Sequence, residues 1–263
     1  MKKTYKNNIP CFQFHGLESF SNDVDHAIFS RLGGSSSAPY DSLNVSFDVG
    51  DNIEAVAENR NKVAGAFKCE ADFLISAHQT HSKNVLVIDE EFLRFRSDSD
   101  DEIENVDAMI TNVPEVALMI KVADCQAIIL FDPVKRVIAN IHAGWRGLAQ
   151  NISGETIARM RDQFGVDPRN IRAGISPSLG VCCSFFSNPK KELPHFFEPF
   201  IQENFAVNLW DASVQQLENA GLLKEQIELA RTCSSCGAGN KFFSFRRDHG
   251  VGGRFGVVAM LKS

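Results

Sequence analysis

The sequence predicts an α+β protein, a single domain in which a large mixed β-sheet core is flanked by helices. Three observations lead there. Strand-like segments outnumber helix-like ones. They also follow one another without alternation, as in "DAMIT", "VALMIK", "AIILFD" and "RVIANIH" between residues 107 and 142, which is not βαβ patterning. Finally, 263 residues that are 44% hydrophobic and 23% charged have the composition of an ordinary globular chain able to bury one large core.

Taken in order, "HAIFS" (26–30) reads as a strand, and "RLGGSSSAPYDSLN" after it as a long loop rich in turn residues, the kind of loop that often carries function. From Asp51 a helix is expected through residue 67. Asp51 and Glu54 make a capping pattern, Ile53, Val56, Val63 and Phe67 recur at helical spacing, and Arg60 lies on or beside that face. "FLIS" and "NVLVID" are strands joined by the polar connector "AHQTHSK". The run "SDSDDEIENVD" (97–107) reads as a solvated loop. After the four central strands, a helix is expected from residue 148 to near Gly165, and "IRAGIS" forms another strand. Helical stretches follow around 190–205 and 210–220, then the strands "IELAR", "FFSF" and "RFGVVAML".

Net charge is -6, so no bulk electrostatic attraction favours nucleic acid or an anionic membrane, and phosphate would have to be gripped locally. No stretch reads as a signal peptide or approaches the roughly 18 apolar residues of a membrane span. A cytoplasmic protein is expected, as a monomer or weak homodimer. The seven cysteines lack the dense, regular spacing of a disulfide scaffold and read mostly as reduced thiols. "CSSC" (233–236) suggests a redox pair or half of a zinc ribbon, but its nearest partners, Cys182 and Cys183, have the wrong spacing for the other half.

Three connectors place metal-ligand residue types at the ends of predicted strands: "HQTHS" with His78 and His81, "VADCQ" with Asp124 and Cys125, and "NIHAGWRG" with His142. One thiolate and two imidazoles with an open fourth position are the catalytic form of a zinc site. Zinc there would activate a water or polarise a substrate oxygen. Spacing does not choose between His78 and His81. In "GWRG" the glycines allow close backbone approach, and a following helix would present its N-terminus to an anion beside Arg146. If "FFSFRRDHG" is a strand, Arg246 and Arg247 point to opposite faces and one meets the cleft.

The blocks "FSRLGG", "YDSLNVSFDVGD", "AENR", "QTHS", "VDAMIT", "VADCQAIILFD", "IHAGWRG" and "FFSFRRDHGVGGR", in this order, resemble the bacterial YfiH-type laccase-domain proteins across nearly the whole chain. The resemblance implies a zinc site of His81, Cys125 and His142, so that it selects His81 over His78. It also implies a purine nucleoside phosphorylase that cleaves adenosine, inosine and methylthioadenosine with phosphate and deaminates adenosine. Arg60 and Arg146 are then phosphate candidates, with Asn44, Gln79, Asp124 and Arg247 as further substrate-binding candidates. The chain departs from the family in "GISPSLGVCCSFFS", where Val181 replaces a common proline and a Tyr-Glu-Val stretch is missing, and in the serine that ends "QTHS".

Proteins of this kind have also been labelled polyphenol oxidases and, in one branch, peptidoglycan-editing factors. Copper competes well for nitrogen and sulfur ligands and is the alternative ion for the same site. A multicopper oxidase, however, needs many imidazoles, and this chain has seven histidines and no His-x-His. A metal-free hydrolase with Cys125 as nucleophile and His142 as base leaves His81 without a role. A non-enzymatic binding or editing module is the remaining alternative.

Overall fold

The computed structural model describes residues 1–96 and 103–263. Most of the expected solvated loop at 97–107 therefore lies outside the described residues. The elements are β1 (Lys2–Lys6), β2 (Ile9–Gln13), β3 (Val24–Phe29), α1 (Ile53–Phe67), β4 (Leu74–Ile75), β5 (Ala77–His78), β6 (Val85–Val87), α2 (Glu90–Phe95), β7 (Ile103–Glu104), β8 (Ala108–Thr111), β9 (Ala117–Val122), β10 (Gln126–Asp132), β11 (Val137–Ala143), α3 (Trp145–Ala149), α4 (Ile152–Phe164), β12 (Arg172–Ile175), α5 (Pro189–Glu192), α6 (Leu209–Asn219), β13 (Ile227–Leu229) and β14 (Phe255–Leu261). The class is α+β, as expected. The core, however, is two mixed sheets rather than one, ordered β1-β2-β3-β14-β9-β4 and β13-β12-β10-β11-β8-β6.

Alternation along the strands builds the layers. In β10, Ala127, Ile129 and Phe131 point into the apolar layer between the sheets, where Leu118 and Ile120 of β9 and Phe255 and Val257 of β14 meet them. Ile128 and Leu130 point the other way, with Ile141, into a layer shared with Ile157 and Met160 of α4 and Leu217 of α6. On the far side of the first sheet, Phe29, Met119 and Val258 pack with Val63 and Phe67 of α1. Helices thus cover both outer faces. Asn140 of β11 crosses the middle layer, its Nδ2 donating to the carbonyls of Leu118 and Val257, both at 2.9 Å.

Several local expectations need correction. The N-cap of α1 is Asn52, whose side chain accepts from the Ala55 amide at 2.8 Å. Asp51 instead accepts from Asn44 Nδ2 at 2.9 Å. Ile53, expected on the apolar face, is 67% exposed. The helix after Trp145 breaks into α3 and α4 because Asn151 takes the left-handed conformation (φ 60°), which interrupts helical hydrogen bonding. Around 190–205 only α5 and a 3₁₀ turn at His195–Phe200 form, since Pro194 and Pro199 lack the amides a continuous helix needs. "FFSF" is not a strand. Phe242 and Phe243 are both buried in the middle layer, and Ser244 then starts a turn by accepting from the Arg247 amide at 3.1 Å.

Candidate active site

Strand faces and ends place the three candidate ligands together. His142 follows Ile138 and Asn140 on the middle-layer face of β11, at the strand's end. Cys125 precedes Ala127 and Ile129 on the same face at the start of β10. Because β10 and β11 are antiparallel with Ala127 opposite His142, these two lie at one end of the sandwich. The connector after β5 brings in His81, and the donor atoms of His81, Cys125 and His142 lie within 4.8 Å of one another. Cys125 Sγ is 3.6 Å from His81 Nε2, and the two imidazole rings meet edge to face at 4.8 Å.

Asp107 organises this group, and the sequence reading missed it. It sits just before β8, fully buried, and its Oδ1 is 2.7 Å from His142 Nδ1. The same carboxylate accepts from the backbone amides of Thr80, His81 and Ser82 at 3.2, 3.0 and 2.7 Å, and from the Ser82 hydroxyl at 2.6 Å. One side chain therefore orients the imidazole of His142, leaves its Nε2 for a ligand, and shapes the loop in which His81 adopts φ 61°. The only sequence signal was an acidic residue opening an apolar strand in "VDAMIT".

Gly144 does what the glycines of "GWRG" suggested. A Cβ there would lie 2.8 Å from His81 Cδ2 and 2.9 Å from Cys125 Sγ, so only glycine lets the backbone pass the ligands. The helix expected to present its N-terminus to an anion is the five-residue α3, with little dipole of its own.

Electrostatics reinforce the grouping. Burial pushes the Cys125 thiol up, but His142 and His81 outweigh it and bring it down to about 6. Burial pushes His142 down, while Cys125 and Asp107 raise it to about 9. Burial likewise raises the Asp107 carboxyl, and hydrogen bonds from His142 and Ser82 overcome this to hold it at about 2. The donor set fits zinc: one readily ionised thiol and two imidazoles, one with a buried carboxylate behind it, converge beside a cavity.

That cavity has a volume of about 440 Å³, and His81, Cys125 and His142 line it together with Gln79, Asp124 and Arg146. Gln79 is tied down by Lys121, donating to its carbonyl at 2.8 Å and accepting from its amide at 2.9 Å. Asp124 accepts from Ser234 Oγ and from the Arg246 amide, both at 2.6 Å. Arg146 stacks over Trp145 at 4.3 Å. His78 also lines the cavity, but its Nδ1 faces Glu104 at 3.0 Å.

Three candidates are not in the cavity wall. Asn44 is fully buried, with its amide satisfied by Ser46, Asp51 and Arg254. Arg60 donates to Ser76 Oγ at 2.5 Å and lies over Phe47. Arg247 is spent on Asp248 and on the carbonyls of Ser234 and Phe242. Its neighbour Arg246 is the one that meets the cleft, and Lys121, Arg254, Asp48 and Phe245, not expected as site residues, line the cavity with it. Arg254 ends the segment "FFSFRRDHGVGGR", and Lys121 is one polar residue in a buried strand.

A family profile described as multi-copper polyphenol oxidoreductase laccase matches residues 25–262. The chain belongs to this laccase-domain family. Relatives within reach of the laccase-domain chain include a purine nucleoside phosphorylase of Bacteroides thetaiotaomicron, 32% identical over 250 residues and covering 89% of this chain and 90% of that protein. The purine nucleoside phosphorylase YlmD of Bacillus subtilis is 28% identical, covering 89% and 87%. Among solved structures, the hypothetical protein YfiH of Bacillus licheniformis superposes with a TM-score of 0.82 at 31% identity, covering 91% of this chain and 93% of that one. No helix among the described residues is long and apolar enough to cross a membrane.

Proposed function

We propose that this laccase-domain chain acts as one catalytic domain, a zinc-dependent purine nucleoside phosphorylase. It would cleave adenosine, inosine and methylthioadenosine with phosphate to the free base and ribose 1-phosphate, and deaminate adenosine as a side activity. The observation that carries this reading is the convergence of His81, Cys125 and His142 on a cavity whose wall also holds Lys121, Arg146, Arg246 and Arg254. The names borne by its relatives point the same way.

Zinc held by His81, Cys125 and His142 would supply Lewis acidity towards a substrate oxygen or nitrogen. The chain's own groups divide the rest of the work. The cations attract phosphate and hold it against C1′, where preorganised charge lowers the barrier most. Phosphate oxygen forms the bond to C1′ as the C1′–N9 bond breaks, and the purine leaves with the electron pair and takes up a proton. Trp145 and Phe245 offer aromatic surface to the base, and Asp48 and Ser46 offer acceptors to ribose hydroxyls. Asp107 keeps the His142 imidazole in place throughout.

Copper chemistry of the kind in the family's description needs more imidazole than the wall provides, and no methionine is among the lining residues. A second reading rests on the Cys125–His142 pair itself. A thiol brought down to about 6 beside an imidazole raised to about 9 is a thiolate–imidazolium couple able to act as a metal-free nucleophile. One assay separates the two. Purified protein is incubated with adenosine or inosine, with and without phosphate and a strong chelator, and the products are resolved by chromatography. The phosphorylase reading expects free base and ribose 1-phosphate only with phosphate, loss on chelation and recovery with zinc. Absence of ribose 1-phosphate from every purine nucleoside tried would sink it.

A further inference from the structure

Sequence spacing argued against joining Cys182 and Cys183 to Cys233 and Cys236, yet the fold joins them. The four Sγ atoms lie within 4.8 Å of one another, in a group separate from His81, Cys125 and His142. All four are free thiols. Cys182 and Cys183 sit in a tight turn at 181–183, and a second turn at 234–236 runs from just after Cys233 to Cys236. On a strand, adjacent Cys182 and Cys183 would point to opposite faces; in a turn both reach the same point.

The two turns are laced together. Ser178 and Cys233 form a parallel bridge, the Ser178 amide donates to the Thr232 carbonyl at 3.2 Å, and the Ser234 amide to the Ser178 carbonyl at 2.9 Å. The Gly180 amide donates to Cys233 Sγ at 3.4 Å. Gly237 closes the second turn so tightly that a Cβ would meet the Cys233 carbonyl at 2.6 Å. Amides turned onto a sulfur stabilise it as a thiolate. Cys182 Sγ lies 3.3 Å from Cys236 Sγ, well beyond the about 2.05 Å of a disulfide bond.

We propose that Cys182, Cys183, Cys233 and Cys236 form a second metal site, a closed tetrathiolate centre for zinc with a structural role. Four sulfurs placed tetrahedrally about zinc at about 2.3 Å would stand ~3.8 Å apart, within the spread of the spacings here. Metal binding releases the thiol protons. Arg246 and Arg247 reduce the cost of the excess negative charge. Arg246 Nη1 donates to the Cys183 carbonyl at 3.3 Å, and Arg247 Nη1 to the Ser234 carbonyl at 3.0 Å. The same contacts, with the Ser234–Asp124 hydrogen bond, fasten both turns to the wall of the cavity. The metal therefore clamps the edge that carries Asp124 and Arg246, and this role does not depend on which reaction the cavity performs.

The test counts metal rather than turnover. Full-length protein carrying His81→Ala and Cys125→Ser, which disables the first ligand group, is purified with zinc under reducing conditions and its metal measured by elemental mass spectrometry. The expected result is about one zinc per chain, lost when Cys236→Ser or Cys182→Ser is added and kept when Cys69→Ser is added. Circular dichroism confirms that each chain is folded. Anaerobic cobalt(II) titration of the His81→Ala, Cys125→Ser protein should give the intense visible bands and sulfur-to-metal charge transfer of a tetrahedral four-thiolate site. Four results would overturn the proposal: no bound metal, iron in place of zinc, metal that survives Cys236→Ser, or protein isolated with a Cys182–Cys236 disulfide.

Discussion

The Asp107 carboxylate lies 2.7 Å from Nδ1 of His142 while accepting three backbone amides of the loop that carries His81. Both histidines of the ligand group therefore depend on one buried acid. Asp107→Asn preserves the shape but offers one acceptor oxygen in place of two. Metal affinity, measured by chelator competition, is expected to fall about 10- to 100-fold, with activity falling alongside it. Unchanged affinity would remove Asp107 from the positioning role.

Gly144→Ala tests the close approach directly. The added methyl would sit 2.8 Å from the His81 ring and 2.9 Å from Cys125 Sγ, distances that force the ligands apart. Bound metal and activity are both expected to fall at least about tenfold. Stability is expected to change by less than about 3 kcal/mol, because the clash lies at the pocket rather than within the main apolar layers. Metal content read against denaturant midpoint checks this.

The cavity assigns different fates to arginines that composition alone treats alike. Arg254→Ala removes a cation from the wall, and KM for phosphate is expected to rise about 10- to 100-fold, as for loss of a charge-assisted hydrogen bond. Arg60→Ala, outside the wall, is expected to change it by less than about threefold. Arg247→Ala strips partners from Ser234, Phe242 and Asp248. It is expected to cost about 1–3 kcal/mol of stability, read as a lower denaturation midpoint.

His26 gives the fold an acid-sensitive point. Burial holds its imidazole down at about 4, and Nε2 accepts from the Phe14 amide at 2.7 Å, which requires the neutral ring. The unfolded chain, with an ordinary value of 6.5, binds the proton more readily. Stability from this residue is thus intact above pH 6.5 and is lost as pH falls towards 4, by about 3 kcal/mol at most. His26→Gln retains an acceptor without the titration and is expected to flatten the dependence of denaturation midpoint on pH across that interval.

Much of this was legible in the residues because it is local. Consecutive short apolar runs marked β8 to β11, and the ligand types stood at strand ends in "HQTHS", "VADCQ" and "NIHAGWRG". Errors arose where a local pattern had a near-equivalent neighbour. Asn52 displaced Asp51 as helix cap, and Arg246 rather than Arg247 lines the cavity because a turn, not a strand, holds them.

By itself, then, the amino-acid sequence determined the class of fold, the positions of its central strands along the chain and the chemical types available for a metal. Only the tertiary structure decided that the core divides into two sheets, that Asp107 stands behind His142, and that the thiols at 182, 183, 233 and 236 share one place. The physical reason is that periodicity tells which face a side chain occupies, whereas meeting a partner such as Cys125 and His81, 44 positions apart, depends on register and on which strand ends coincide. Those are settled by pairing and packing across the whole chain.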